Sequence, residues 1–163
     1  MSQVAECLAA LGVSLPKPAA PVANYVGARK SGALLFVSGQ LPIGADGKLA
    51  PEHIGKLGPA STVETAAAAA RQCAINVLAQ AQAALGDLDH IVQVVRLGGF
   101  FAVEGRFDSL PQAMNGASDL MAAAFGERGR HARTTVGVAF LPLGAIVEVE
   151  GLFEIAPCAR RPG

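Results

Sequence analysis

Arg133-Thr-Thr-Val-Gly-Val-Ala-Phe-Leu-Pro142, continuing through Gly144-Ala-Ile-Val-Glu-Val-Glu150, is the stretch on which the reading of this chain turns. It predicts two short strands separated by a break at Leu141-Pro142. Strand residues two apart project from the same side, so Glu148 and Glu150 share one face and Val147 and Val149 the other. The first strand opens on an arginine, a permanent cation whose planar fork grips carboxylates. A glutamate near it could move a proton or orient a water. An arginine beside glutamates can equally be a structural ion pair, and spacing alone leaves both readings open.

Upstream, Ser61-Thr-Val-Glu64 has the form of a capping box, predicting a helix that runs to Leu85 and stops at Gly86. Its alanines (Ala67, Ala70, Ala74, Ala81) would let it lie close on a sheet, with Val77, Leu78 and Leu85 as the larger packing groups. Ile91 to Val103 reads as a strand, with a possible bulge at Gly98-Gly99. A second helix is expected over about 108–125, ending at Gly126, and Arg128 to Arg130 as a loop. Tyr25–Arg29 and Leu34–Ser38 flank a turn signal and predict a hairpin. Residues 40–60, rich in Gly and Pro, are expected to form a long irregular loop of functional or interface character. The order is β-β-α-β-α-β-β, an α+β fold with both helices on one face of a mixed sheet. Leu34–Val37 and Val136–Leu141 are apolar on both sides, and two helices cover only one sheet face. A homo-oligomer packed sheet against sheet is therefore expected.

At 163 residues the chain is sized for a single domain over 1–163. Residues 1–20 read as an N-terminal helix with a proline-punctuated lead-in, 21–156 as the core and 157–163 as a loose tail. Hydrophobic residues make up 52% and charged residues 16%, and the net charge is zero. That balance argues against a protein whose main work is gripping nucleic acid, which leaves a basic footprint. Cys7, Cys73 and Cys158 form no CxxC pair, pointing to free thiols in a reducing cytoplasm. No apolar run reaches membrane-spanning length. No cofactor motif is present, and no His/Cys/Asp cluster has metal-ligand spacing.

Arg128, Arg130, His131 and Arg133 form the densest basic run, a candidate anion site or a solvated loop. His131 is the histidine best placed for acid–base work. His53 and His90 read as surface residues, and Cys73 as a core or interface thiol. Arg96 interrupts an apolar strand and reads as an edge or interface ion pair.

Two separate segments resemble one family. Tyr25 with Gly32-Ala-Leu-Leu-Phe-Val-Ser-Gly-Gln-Leu-Pro42, and Arg133 through Pro142 to Glu150, are similar to the N- and C-terminal signatures of the reactive-intermediate deaminase (RidA/YjgF) family. The resemblance covers about residues 21–156 and marks a divergent branch with an added N-terminal helix. It implies a chorismate-mutase-like trimer with sites in clefts between subunits. By that resemblance Arg133 holds the carboxylate of a 2-imino or 2-amino-enoic acid, and Glu148 activates the water that expels ammonia. Tyr25 lines the cleft, Ser38 and Gly39 offer hydroxyl or backbone contacts, and Thr135 stands where the family often has cysteine. Asn115 replaces a pocket residue or faces solvent. A non-catalytic trimer binding a small carboxylate, and an endoribonuclease using Arg130, His131 and Arg133, are the alternatives.

Overall fold

The computed structural model describes residues 2–20 and 23–156. The tail expected over 157–163, with Cys158, lies outside them. The elements are α1 (Gln3–Ala10), β1 (Ala28–Ser31), β2 (Leu34–Gln40), α2 (Val63–Leu85), β3 (Ile91–Ala102), α3 (Leu110–Phe125), β4 (Ala132–Val138) and β5 (Val147–Ile155). After α1 this is the expected β-β-α-β-α-β-β order. The five strands form one mixed sheet in the order β1-β2-β5-β3-β4. All neighbours are antiparallel except β3 and β4. A parallel pair needs a long crossover, and α3 supplies it.

β5 shows why the alternating valines and glutamates were informative. Val147, Val149, Gly151, Phe153 and Ile155 are buried, while the residues between them are half-exposed. The buried set faces the helices: Val77, Leu78 and Cys73 of α2 are fully buried in the same core. α1 packs on α3 through Val4 and Leu8. Its amino end is capped from a distance, since the Gln3 and Val4 N–H groups donate to the Asp89 carboxylate at 2.7 and 3.0 Å. The other sheet face carries no helix. There Phe36 is 47% exposed between the buried Leu35 and Val37, and Val136 on the edge strand is 39% exposed.

Several local expectations shift. The first hairpin strand is Ala28–Ser31 rather than Tyr25–Arg29, because the two-residue Gly32-Ala33 turn pairs Ser31 with Leu34 and fixes the register. Gly32 takes φ +58°, which glycine adopts without strain. Tyr25 therefore precedes the strand, where the Ser38 hydroxyl donates to the Val26 carbonyl at 2.8 Å. Thr62, not Ser61, caps α2 by accepting from the Thr65 N–H. Ser61 turns back to accept from the Gly58 N–H. The β3 irregularities fall between Ile91 and Gln93 and between Val94 and Arg96, not at Gly98-Gly99. Those glycines make room instead: a Cβ on Gly98 would stand 2.6 Å from Glu150 Oε1, and one on Gly99 2.5 Å from Met114 Sδ. Arg128 lies in a 3₁₀ turn, Gly126–Gly129, rather than an open loop.

The 40–60 segment lacks regular strands but is pinned by isolated bridges joining Ile43 to Leu49, Ile54 to Ala145 and Leu57 to Val103. Three amides on one side of α2, Gln72, Asn76 and Gln80, are spaced four apart and so share a helix face. Gln72 and Asn76 donate to the Ile43 carbonyl, and Asn76 also to that of Leu41. Gln80 donates to Ala19 and to the Gln40 side chain. Among the described residues no helix is long and apolar enough to cross a membrane.

Candidate functional site

The residues singled out in the sequence fall into two groups on opposite faces of the sheet. On the helix-free face, Glu148 lies over Gly39, so tightly that a methyl on Gly39 would collide with its carboxylate. Burial, and then the nearby Glu150, raise the Glu148 pKa from its ordinary value of 4.5. A more basic carboxylate accepts a proton more readily. Gly39 and Tyr25 also line a cavity of about 210 Å³ with Gly27, Gln40 and Leu143, which reaches Gln80 of α2 and so extends to the helix layer. Ser38, whose hydroxyl already donates to Val26, borders a separate cavity of about 330 Å³ beside Arg96 and Glu150. Arg96 pairs with Glu150 at 3.4 Å and donates to Thr134 at 3.1 Å. Its strand, β3, lies inside the sheet rather than at an edge.

Arg133 points the other way. β4 is an edge strand, and Arg133 reaches from it to α3. Nη1 donates to Asn115 Oδ1 at 2.9 Å and to Ser118 Oγ at 3.1 Å, and Nη2 to the Pro111 carbonyl at 2.9 Å. Three of its five N–H groups are thus committed to neutral acceptors. The Nε–H and one Nη2–H are left, and no carboxylate pairs with the guanidinium among the described residues. Asn115 is therefore an arginine partner and not merely solvated. Thr135, two residues along and on the same side, buries its hydroxyl with no partner among the described residues.

The basic run does not form one patch. Arg128 donates to the Ile91 carbonyl, Arg130 pairs with Glu127 at 3.1 Å, and only His131 and Arg133 converge, through Ser118. His131 Nδ1 sits 2.6 Å from the Gly129 carbonyl and Nε2 3.0 Å from Ser118 Oγ. Ser118 is a participant that sequence reasoning missed. Its signal was present: Asn115 and Ser118, three apart, put two polar groups on one face of the helix. Cys73 is fully buried, and burial followed by the Glu148 charge pushes its thiol well up. It stays protonated and is no nucleophile. No group of three or more His, Cys, Asp or Glu side chains that could hold a metal occurs among the described residues.

This architecture, a mixed five-stranded sheet with helices on one face, is that of the chorismate-mutase-like proteins. A sequence profile of the family described as "YjgF/chorismate mutase-like, putative endoribonuclease" matches residues 5–155. The chain belongs to this YjgF/RidA family. It is 49% identical over 154 residues to Protein TCP17 of Trypanosoma cruzi, covering 94% of each chain. It is also similar to the crystal structure of Atu1372 from Agrobacterium tumefaciens, a protein of unknown function, at 45% identity and TM-score 0.86, covering 94% of this chain and 93% of that one. A Shewanella oneidensis structure described as a putative endoribonuclease gives 37% identity and TM-score 0.88, over 93% of this chain and 99% of the other.

Proposed function

We propose that the protein hydrolyses reactive 2-imino or 2-amino-enoic acids to 2-keto acids and ammonia, in clefts formed where subunits of a homotrimer meet. The observation that carries this reading is the guanidinium of Arg133. It is held rigidly by neutral groups, has no acidic partner among the described residues, and keeps two N–H groups for a ligand. Such a fixed cation suits a carboxylate, which it can grip through both oxygens. With the carboxylate anchored, the adjacent imine carbon is held in one place, which lowers the entropic cost of attack. Water adds to that carbon while Glu148 takes its proton. The proton then passes to the nitrogen to give a carbinolamine. Its hydroxyl loses its own proton to the amine as the C=O forms and the C–N bond breaks, releasing the 2-keto acid and ammonia. A 2-amino-enoic acid enters this sequence after tautomerising to the imine, its amino proton moving to the terminal carbon.

Arg133 and Glu148 lie on opposite faces of one sheet, so in this mechanism different subunits supply them. The exposed Phe36 and Val136 on the helix-free face support such an assembly, since large apolar groups on a sheet face favour burial against a partner. The free thiols of Cys7 and Cys73 suit a reducing cytoplasm.

The test is ammonia release from freshly generated 2-aminoacrylate. Acceleration by wild type, lost in Arg133→Gln without loss of the oligomer, supports the proposal; undiminished activity in that variant ends it. The placement of Arg133 and Glu148 on opposite faces favours one second reading, a trimer that binds small carboxylates without turning them over. In that case Glu148→Gln leaves ligand affinity unchanged and wild type releases no ammonia.

A further inference from the structure

We infer that Ser118 and His131 brace Arg133 and couple its grip on an anion to the proton on His131. The inference rests on the reading of Arg133 as an anion anchor, and it adds two positioning residues to that site.

The hydrogen-bond chain has a direction. A carbonyl oxygen only accepts, so the Gly129 contact at 2.6 Å places a proton on His131 Nδ1. In the neutral ring Nε2 is then an acceptor, and the Ser118 hydroxyl, 3.0 Å away, must donate to it. The oxygen of Ser118 is thereby turned toward Arg133 Nη1, which donates to it at 3.1 Å. Asn115 and the Pro111 carbonyl complete the cradle. The tautomer of one half-buried histidine thus sets the orientation of the hydroxyl that holds the arginine.

Protonation of His131 changes this arrangement. Nε2 becomes a donor, Ser118 Oγ receives hydrogens from two cations, and its own hydrogen must turn elsewhere. A second positive charge then stands one hydroxyl away from the first. No nearby carboxylate offsets it among the described residues. On β4 the facing charge is Arg133. In the Gly126–Gly129 turn Glu127 is engaged by Arg130, and Arg128 donates to a backbone carbonyl. On α3, Asp119 next to Ser118 is exposed and forms no salt bridge. On β3, Arg96 lies on the opposite sheet face with Glu150. Consistent with this, burial and then Arg133 hold the His131 pKa below its ordinary 6.5, against the opposing effect of the Gly129 carbonyl. An anion on the two free N–H groups of Arg133 supplies the missing negative charge. Anion binding and His131 protonation therefore favour each other, and by linkage each strengthens the other equally.

The experiment titrates the imidazole ¹H–¹⁵N signals of the intact oligomer with and without saturating pyruvate, used as a stable carboxylate probe. Only three histidines are present, which makes assignment by His131→Gln direct. The expected result is that pyruvate raises the His131 midpoint, and that pyruvate affinity increases about five- to tenfold as pH falls through that midpoint. In Ser118→Ala and in His131→Gln this pH dependence shrinks to less than twofold, while weaker binding persists. Thermal melts of both variants confirm that they fold. Arg133-dependent binding that leaves the His131 midpoint unmoved overturns the coupling and leaves the anchor standing. Pyruvate that fails to bind, or binds equally to Arg133→Gln, overturns the anchor and the coupling with it.

Discussion

Gly116→Ala tests whether the close approach of α2 and α3 holds the arginine cradle in place. A Cβ at Gly116 would lie 2.6 Å from the carbonyl carbon of Ala67 and 3.0 Å from its Cα, both backbone atoms that cannot swing aside. The Ala67 carbonyl oxygen would be closer still; ordinary contacts sit at roughly 3.5–4.0 Å, so the helices must part by more than about 1 Å. Both are stocked with buried alanines, including Ala66, Ala70, Ala113 and Ala117, whose packing depends on that spacing. Overpacking of this kind costs about 1–3 kcal/mol, with the upper end expected against rigid backbone. Helix propensity acts oppositely and returns about 1 kcal/mol. The net expectation is a loss of about 1–2 kcal/mol, or roughly 2–8 °C in Tm for a chain of this size. Far-UV circular dichroism melts at one fixed protein concentration measure it, since the midpoint of an oligomer depends on concentration. Asn115 adjoins the substituted residue, so pyruvate affinity should fall alongside. A Tm that is unchanged or higher would mean that helix propensity outweighs the contact, and would refute the reasoning.

Glu148→Gln should stabilise the protein at neutral pH. The folded state holds the Glu148 proton more tightly than the unfolded chain does, so stability falls as pH rises between 4.5 and the raised folded value. Urea unfolding should show the gain at pH 7 and its disappearance below about pH 4. Thr135→Val replaces a buried, unpartnered hydroxyl with a methyl of similar shape and should stabilise by about 1 kcal/mol; a clear loss in the same assay would show that the hydroxyl has a partner in the assembly. Asp89→Ala removes the cap of α1, worth about 1 kcal/mol. Faster amide exchange confined to α1 is the expected signature. The N–H groups of Val4 and Gln3 hold the Asp89 carboxyl below its ordinary 3.8, so in wild type the cap persists above that value and is lost as pH falls through the lower folded one.

The parts of this fold that were legible in the sequence are those where one face of an element is buried and the other is not. The Val/Glu alternation of β5 and the glycine stop of α2 are local signals, and each lies where it was expected. The cap of α2 moved by one residue because Ser61 and Thr62 are chemically interchangeable as caps, and the Gly58 turn claimed Ser61. What lay out of reach of the sequence concerns faces. Alternation gives the parity of side chains within a strand but not between strands. That Arg133 faces α3 while Glu148 faces away depends on the register of β4 on β3 and of β3 on β5, and pairings so distant leave no local trace. Ser118 escaped notice for a related reason, since its importance comes from the strand it meets rather than from its own helix.

β5 is the last of the five strands along the chain yet lies at the centre of the sheet, between β2 and β3. Without it the remaining strands pair only as two separate ribbons, β1-β2 carrying Gly39 and β3-β4 carrying Arg133. The strand that joins them also brings Glu148. A ribosome must therefore release nearly the whole core before the two halves can be locked together, and a chain cut short ahead of Val147 would lack both the seam and the carboxylate. The strand that completes the scaffold is the strand that supplies the candidate site with its carboxylate.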